Sequence, residues 1–131
     1  YIAVLFPGDQ LGHEISRRYR AITGKPLVYV IGRMWAGGNV SRYAPERPRV
    51  LIDGDPRRAP WIDLGDLRAR GAAAVWISGD PRVLPPDFRA IAEDAEIQQP
   101  FVLPYRIGSG SVTVGWAVLR PRPAVAQLQR Q

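Results

Sequence analysis

AAAVWIS, residues 72–78, is the stretch on which the fold turns. It is apolar until its last residue, as a strand at the centre of a parallel sheet must be, because both of its faces are covered. Working outward from it, other short apolar runs end in turn residues. VLID (50–53) and PLVYVIG (26–32) read as strands, and YIAVLF (1–6) reads as a buried strand stopped by Pro7 and Gly8. The runs between them read as helices. From Asp9 to Thr23, Leu11, Ile15, Tyr19 and Ile22 share one face. Asp9 can cap its start, and Gly24 with Pro26 gives the stop. Asp63 can cap LGDLRAR, which Gly71 ends.

After the central run, Pro86 and Asp87 start another helix, with Phe88, Ile91, Ala92 and Ala95 on one face. FVLPYRI (101–107) and SVTVGWAVLR (111–120) flank Gly108-Ser109-Gly110, which is a hairpin signal. Pro104 places the first of these strands at an edge or a bulge. Strands alternating with helices imply crossovers above and below a sheet. The expectation is one α/β domain over residues 1–120. It is a three-layer α/β/α arrangement with a mainly parallel, Rossmann-like sheet and a C-terminal antiparallel hairpin. Residues 121–131, rich in Pro, Gln and Arg, are expected to form a flexible tail.

Composition narrows the chemistry. The chain has 131 residues, 46% of them apolar, which is enough for one packed core. It has no cysteine, so a disulfide scaffold, a cysteine-ligated metal and a cysteine nucleophile are excluded. His13 is the single histidine; no G-x-S-x-G elbow accompanies it, and it reads as a residue on a helix surface. The net charge is +6, but Lys25 is the one lysine among 18 basic residues, and the arginines are scattered apart from Arg17, Arg18 and Arg20. That cluster reads as a solvated helix face, so no nucleic-acid partner is expected. No apolar run reaches the ~20 residues needed to span a bilayer. Tyr1 falls directly inside a strand pattern, and the 131 residues are expected to be a piece of a longer protein.

The familiar cofactor motifs are absent. The turn after the first apolar run, Phe6 to Gly12, lacks the glycine pattern of a dinucleotide fold, and Lys25 has no Walker glycines before it. No cofactor is expected. Asp53, Asp55, Asp63 and Asp66 form the densest acidic group, but their spacing matches no EF-hand loop, and no metal is expected. An echo joins Ile52-Asp53-Gly54-Asp55-Pro56-Arg57 with Ile77-Ser78-Gly79-Asp80-Pro81-Arg82. Both copies end strands at the sheet edge where open α/β folds bind ligands, yet Gly-Asp-Pro is also ordinary turn chemistry.

WAGGNVSRYAPERP (35–48) follows a strand and could be a phosphate cradle, a sugar surface or a helix with unusual ends. Its glycines lie inside the segment, away from any strand-to-helix fingerprint, which argues against the cradle. Asn39, Tyr43 and Arg47 are expected to start and cap a helix there. Trp35, Tyr43 and Trp61 fall outside strands, near Asn39, Arg47, Asp53 and Asp55. Aromatic faces with amide, guanidinium and carboxylate groups suit a polyol or sugar; they also suit loops pinned to a sheet.

Taken as a set, several runs resemble a known family. They are Trp35 to Val40, Tyr43 to Pro48, Asp53-Gly54-Asp55, Pro60 to Asp63, Gln99 to Arg106 and Val114 to Ala117. The set resembles the C-terminal soluble domain of bacterial membrane glycosyltransferases of family 39, the dolichyl-phosphate-mannose–protein mannosyltransferase-like enzymes, over about residues 1–120. The resemblance implies a parent in the bacterial inner membrane, with this domain on the periplasmic side and a transmembrane part of the same chain as its partner. It implies sugar transfer from a polyprenyl-phosphate donor, with the catalytic carboxylate in the membrane part. No catalytic residue is therefore expected here, and the domain would contact a glycan or lipid-linked sugar through Trp35, Asn39, Tyr43, Arg47, Asp53, Asp55 and Trp61. The alternative is a free-standing α/β domain that binds a sugar or another small polar ligand.

Overall fold

The computed structural model describes residues 6–122. The strand expected at 1–6 lies outside the described residues except for Phe6, which is coil, and the expected tail lies outside them beyond Arg122. The described elements are α1 (Gly8–Thr23), β1 (Tyr29–Gly32), α2 (Met34–Tyr43), β2 (Arg49–Ile52), α3 (Leu64–Arg70), β3 (Ala72–Trp76), α4 (Arg89–Ala92), β4 (Glu96–Ile97), β5 (Phe101–Pro104) and β6 (Ser111–Leu119).

They build a mixed α/β fold around one open sheet in the order β2-β1-β3-β6-β4, with β5 also on β6. β1 pairs in parallel with β2 and with β3, while β3, β4 and β5 all pair antiparallel with β6. The sheet expected to be mainly parallel is thus mixed. The run 72–76 is central and wholly buried, as its apolarity requires. Alternate strand residues divide between two apolar clusters, because side chains on a strand point to opposite faces in turn. Val30, Ala73, Val75, Trp116 and Val118 join Leu11, Ile15 and Tyr19 of α1 and Val40 of α2. Tyr29, Ile31, Leu51, Ala74 and Trp76 join Leu67 of α3 with Phe88 and Ile91. Leu11, Ile15 and Tyr19 are fully buried at spacings of four. Each such side chain stabilises the fold by about 1.5–3 kcal/mol.

α1 lies unusually close to α2 because of two glycines one turn apart. A Cβ at Gly8 would fall 2.0 Å from Asn39 Oδ1, and one at Gly12 would fall 2.7 Å from the Ala44 nitrogen. α1 has no side-chain cap: it starts after Pro7, so Asp9, expected as its cap, sits in the first turn. There Asp9 accepts from Arg106 at 3.1 Å. Gly24 closes the helix in the left-handed conformation (φ +70°), as expected. Glu46 ties the far ends together. Its carboxylate accepts from the Ser16 hydroxyl at 2.6 Å, Arg20 at 3.0 Å and the Leu27 N–H at 3.3 Å. Burial would raise the Glu46 pKa, but the Ser16, Arg20 and backbone bonds outweigh it and hold it below the usual carboxylate value.

Other expectations need correction. The helix expected after Pro86 is a 3-10 turn (Pro86–Phe88) followed by the single turn of α4, which ends at Ala92. β1, β3 and β5 are each shorter than the apolar runs that mark them, and β2 lies one residue earlier than its run. β4 has no apolar signature; both of its residues are exposed and are held by pairing with Ala117 and Val118. Asp63 caps α3 as expected, accepting from the Asp66 N–H at 3.0 Å.

Candidate functional site

α2 answers the question raised by WAGGNVSRYAPERP. Its two adjacent glycines do different work. Gly37 faces inward, where a Cβ would lie 2.9 Å from Val50 and 3.4 Å from the Gly32 backbone, so it lets the helix seat on the sheet. Gly38 faces outward, and a Cβ there would meet nothing within 4 Å. Ala36, Gly37 and Val40 are buried, while Trp35, Asn39 and Tyr43 follow one another at spacings of four on the outer side.

That outer stripe forms one wall of a groove of about 410 Å³. Phe6 and Gly8 at the start of α1 form another, and Arg106 from the β5–β6 turn reaches in from a third side. Phe6 meets Trp35 edge to face, with centroids 5.6 Å apart. Asn39 donates from Nδ2 to the Trp35 carbonyl at 2.8 Å, which fixes its amide orientation. Arg42 lies over the Tyr43 ring at 5.2 Å. Among the described residues, Arg42 and Arg106 are the charged lining residues and no carboxylate lines the groove.

The expected site residues therefore separate. Trp35, Asn39 and Tyr43 come together. Asn39 and Tyr43, expected to start or cap a helix, instead lie within it, and the C-cap is Ala44. Arg47, expected at the same edge as Asp55, lies beyond the far end of α2, just before β2 begins; it is exposed with φ +50°. Asp53 and Asp55 follow β2 and line a different surface depression with Arg57, Arg58 and Asp87. Trp61 stands 64% exposed in the loop before α3 and lines none of the grooves described here. Sequence reading missed Arg42, Arg106 and Gly38. The four-residue spacing of Trp35, Asn39 and Tyr43 was the available signal for the wall, and position 42 shares that face with 38 and 35.

The acidic group is held by nearby donors. Asp53 accepts from Arg58 at 2.6 Å and faces Arg33 at 3.8 Å, and Arg33 also reaches Asp87 at 3.1 Å. Asp55 is held below its usual pKa by the Arg57 side chain and then by the Arg57 N–H. Asp66 accepts from the Tyr29 hydroxyl at 2.5 Å and from Arg70 at 3.0 Å, and these bonds lower its pKa. Among the described residues no group of three or more His, Cys, Asp or Glu could hold a metal ion. No helix among them is long and apolar enough to cross a membrane.

Comparison of the chain with protein-family models, with curated proteins and with solved structures returns no match.

Proposed function

We propose that this chain is an extracytoplasmic accessory domain of a bacterial membrane glycosyltransferase. The parent transfers a sugar from a polyprenyl-phosphate donor, and this domain contacts a glycan or lipid-linked sugar without carrying out the transfer. Its partner is the transmembrane part of the same protein, in the inner membrane, and the domain stands on the periplasmic side. One observation carries the binding part of the reading. Trp35, Asn39 and Tyr43 share one wall of a groove with guanidinium groups at its rim. Aromatic faces stack on the apolar faces of sugar rings, and a fixed amide offers both a donor and an acceptor to hydroxyls. The resemblance of residues 1–120 to the family 39 enzymes supplies the rest. The same reading takes the sheet to be covered on both faces in a three-layer, Rossmann-like arrangement, which the division of strand side chains between two apolar clusters supports.

Because the groove is built from this chain alone, it also favours a second reading, a free-standing domain that binds a sugar or similar polar ligand. Fractionation of the native host separates the two. An antibody raised against this domain should detect a large species that needs detergent for extraction. A soluble species of this chain's own mass would overturn the glycosyltransferase reading and leave the second.

A further inference from the structure

We infer that the groove along α2 selects a saccharide that carries a negative charge; the inference rests on reading the groove as a saccharide contact. Among the described residues the lining charges are both positive. Arg42 has no carboxylate partner among the described residues and rests on the Tyr43 ring. Arg106 lines the groove from the turn between β5 and β6. Asp9 opposes the inference in part, since it holds one Arg106 nitrogen at 3.1 Å. A guanidinium has five N–H donors, so Arg106 keeps donors for a second acceptor.

The rings of Trp35 and Tyr43 lie two helical turns apart, with Asn39 between them. A Cβ at Gly38 would meet nothing within 4 Å among the described residues, and a volume of about 410 Å³ lies within the range of small-ligand sites. For a sugar ring seated on the aromatic wall, a phosphate or carboxylate substituent would find its partners in the guanidinium groups that line the same groove. Charge-assisted bonds of that kind are stronger than bonds to neutral hydroxyls and weaken as salt rises.

The test is titration of the 131-residue chain, at low and at physiological salt, with glucose 1-phosphate, glucuronate, glucose and inorganic phosphate. The amide and indole resonances of Trp35, Gly38 and Asn39 report on the groove. A charged sugar is expected to shift these resonances and to bind at least about tenfold more tightly than either glucose or inorganic phosphate. If only one of the two charged sugars does so, the inference stands and the source of the charge is identified. Arg42→Gln should remove most of the advantage of the charged sugar over glucose. Asp9→Asn should tighten binding of the charged sugar. Gly38→Leu, which fills open space without touching the core, should abolish groove shifts with every sugar. Glucose binding as tightly as the charged sugars overturns the charge selection and leaves the saccharide reading intact. Inorganic phosphate binding as tightly as glucose 1-phosphate overturns the ring platform. Failure of both charged sugars to shift the groove resonances overturns the inference, whereas the glycosyltransferase reading is decided separately by fractionation.

Discussion

The loops that leave β2 and β3 share the sequence Gly-Asp-Pro-Arg, and locally they share the same turn. Asp55 Oδ1 accepts from the Arg57 N–H at 2.9 Å, and Asp80 Oδ1 accepts from the Arg82 N–H at 2.8 Å. The Asp55 carbonyl accepts from the Arg58 N–H at 3.0 Å, as the Asp80 carbonyl does from the Val83 N–H at 3.1 Å. Both glycines have positive φ, +65° at Gly54 and +81° at Gly79. The surroundings differ. Gly54 is pressed against the backbone of Asp87 and Phe88, whereas Gly79 faces open space. Equal sequence thus gives an equal turn and unequal burial of the glycine: the echo is turn chemistry, the first copy packing through Gly54 and the second through the Asp80 carbonyl, which accepts from the Trp76 indole at 3.1 Å.

Replacing the two glycines tests that inequality most severely. Gly79→Ala incurs only the left-handed backbone strain, on the order of 1 kcal/mol. Gly54→Ala adds a Cβ 3.2 Å from two backbone atoms and should cost about 2–4 kcal/mol. Denaturant unfolding of both variants measures the difference, and equal losses would break the comparison. A smaller effect is expected at Asp53, which joins Arg33 and Arg58 to the first loop, while the second loop has Ser78 at that place. Asp53→Asn should lose about 0.5–1 kcal/mol, and Ser78→Ala, run beside it, should lose nothing measurable. Smaller again is the loss from Asp55→Ala and Asp80→Ala. Asp55→Ala should lower the melting temperature slightly more than Asp80→Ala, since Asp55 also accepts from the Arg57 side chain, and a larger drop at Asp80 would show that the shared N–H bond is not what the two turns have in common.

The last effect is one of pH. The Arg57 side chain and then its N–H hold the Asp55 pKa below the ordinary value. A depressed folded pKa means that the contribution of Asp55 is complete above the unfolded value of about 3.9. It is lost as pH falls through the lower folded value. The Arg57 amide resonance should therefore move only below the ordinary aspartate range; a midpoint at or above that range would remove Arg57 from the account of this turn.

The same contrast between local and distant causes explains what could be read from the chain. The central run 72–76, the buried face of α1, the Asp63 cap and the β5–β6 hairpin were legible, because periodicity and turn residues record them locally. β4 was not, because Glu96 and Ile97 are exposed and become a strand only through their pairing with β6. The helix read after Pro86 shrank to one turn, its apolar residues being held by packing against Ala74 and Trp76 more than by helical bonds. At the groove, Trp35, Asn39 and Tyr43 could be named because they share one helix. Arg106 could not, since it is brought to Asp9 across 97 positions of sequence. Arg47 was misplaced because the length of α2 carries it to the opposite edge of the sheet.

Among the described residues β6 has three partners: β3 along residues 115–119, β4 at 117 and 118, and β5 at 111–114. Its place after all three of these strands has a consequence during synthesis. Until Leu119 has left the ribosome, the all-apolar β3 lacks its β6 neighbour, and β4 and β5 have no partner among the described strands. Such an edge is a template for pairing with other chains. The nascent domain therefore passes through a sticky stage that ends when β6 is delivered, and a pause in translation just before residue 111 would prolong its need for a chaperone.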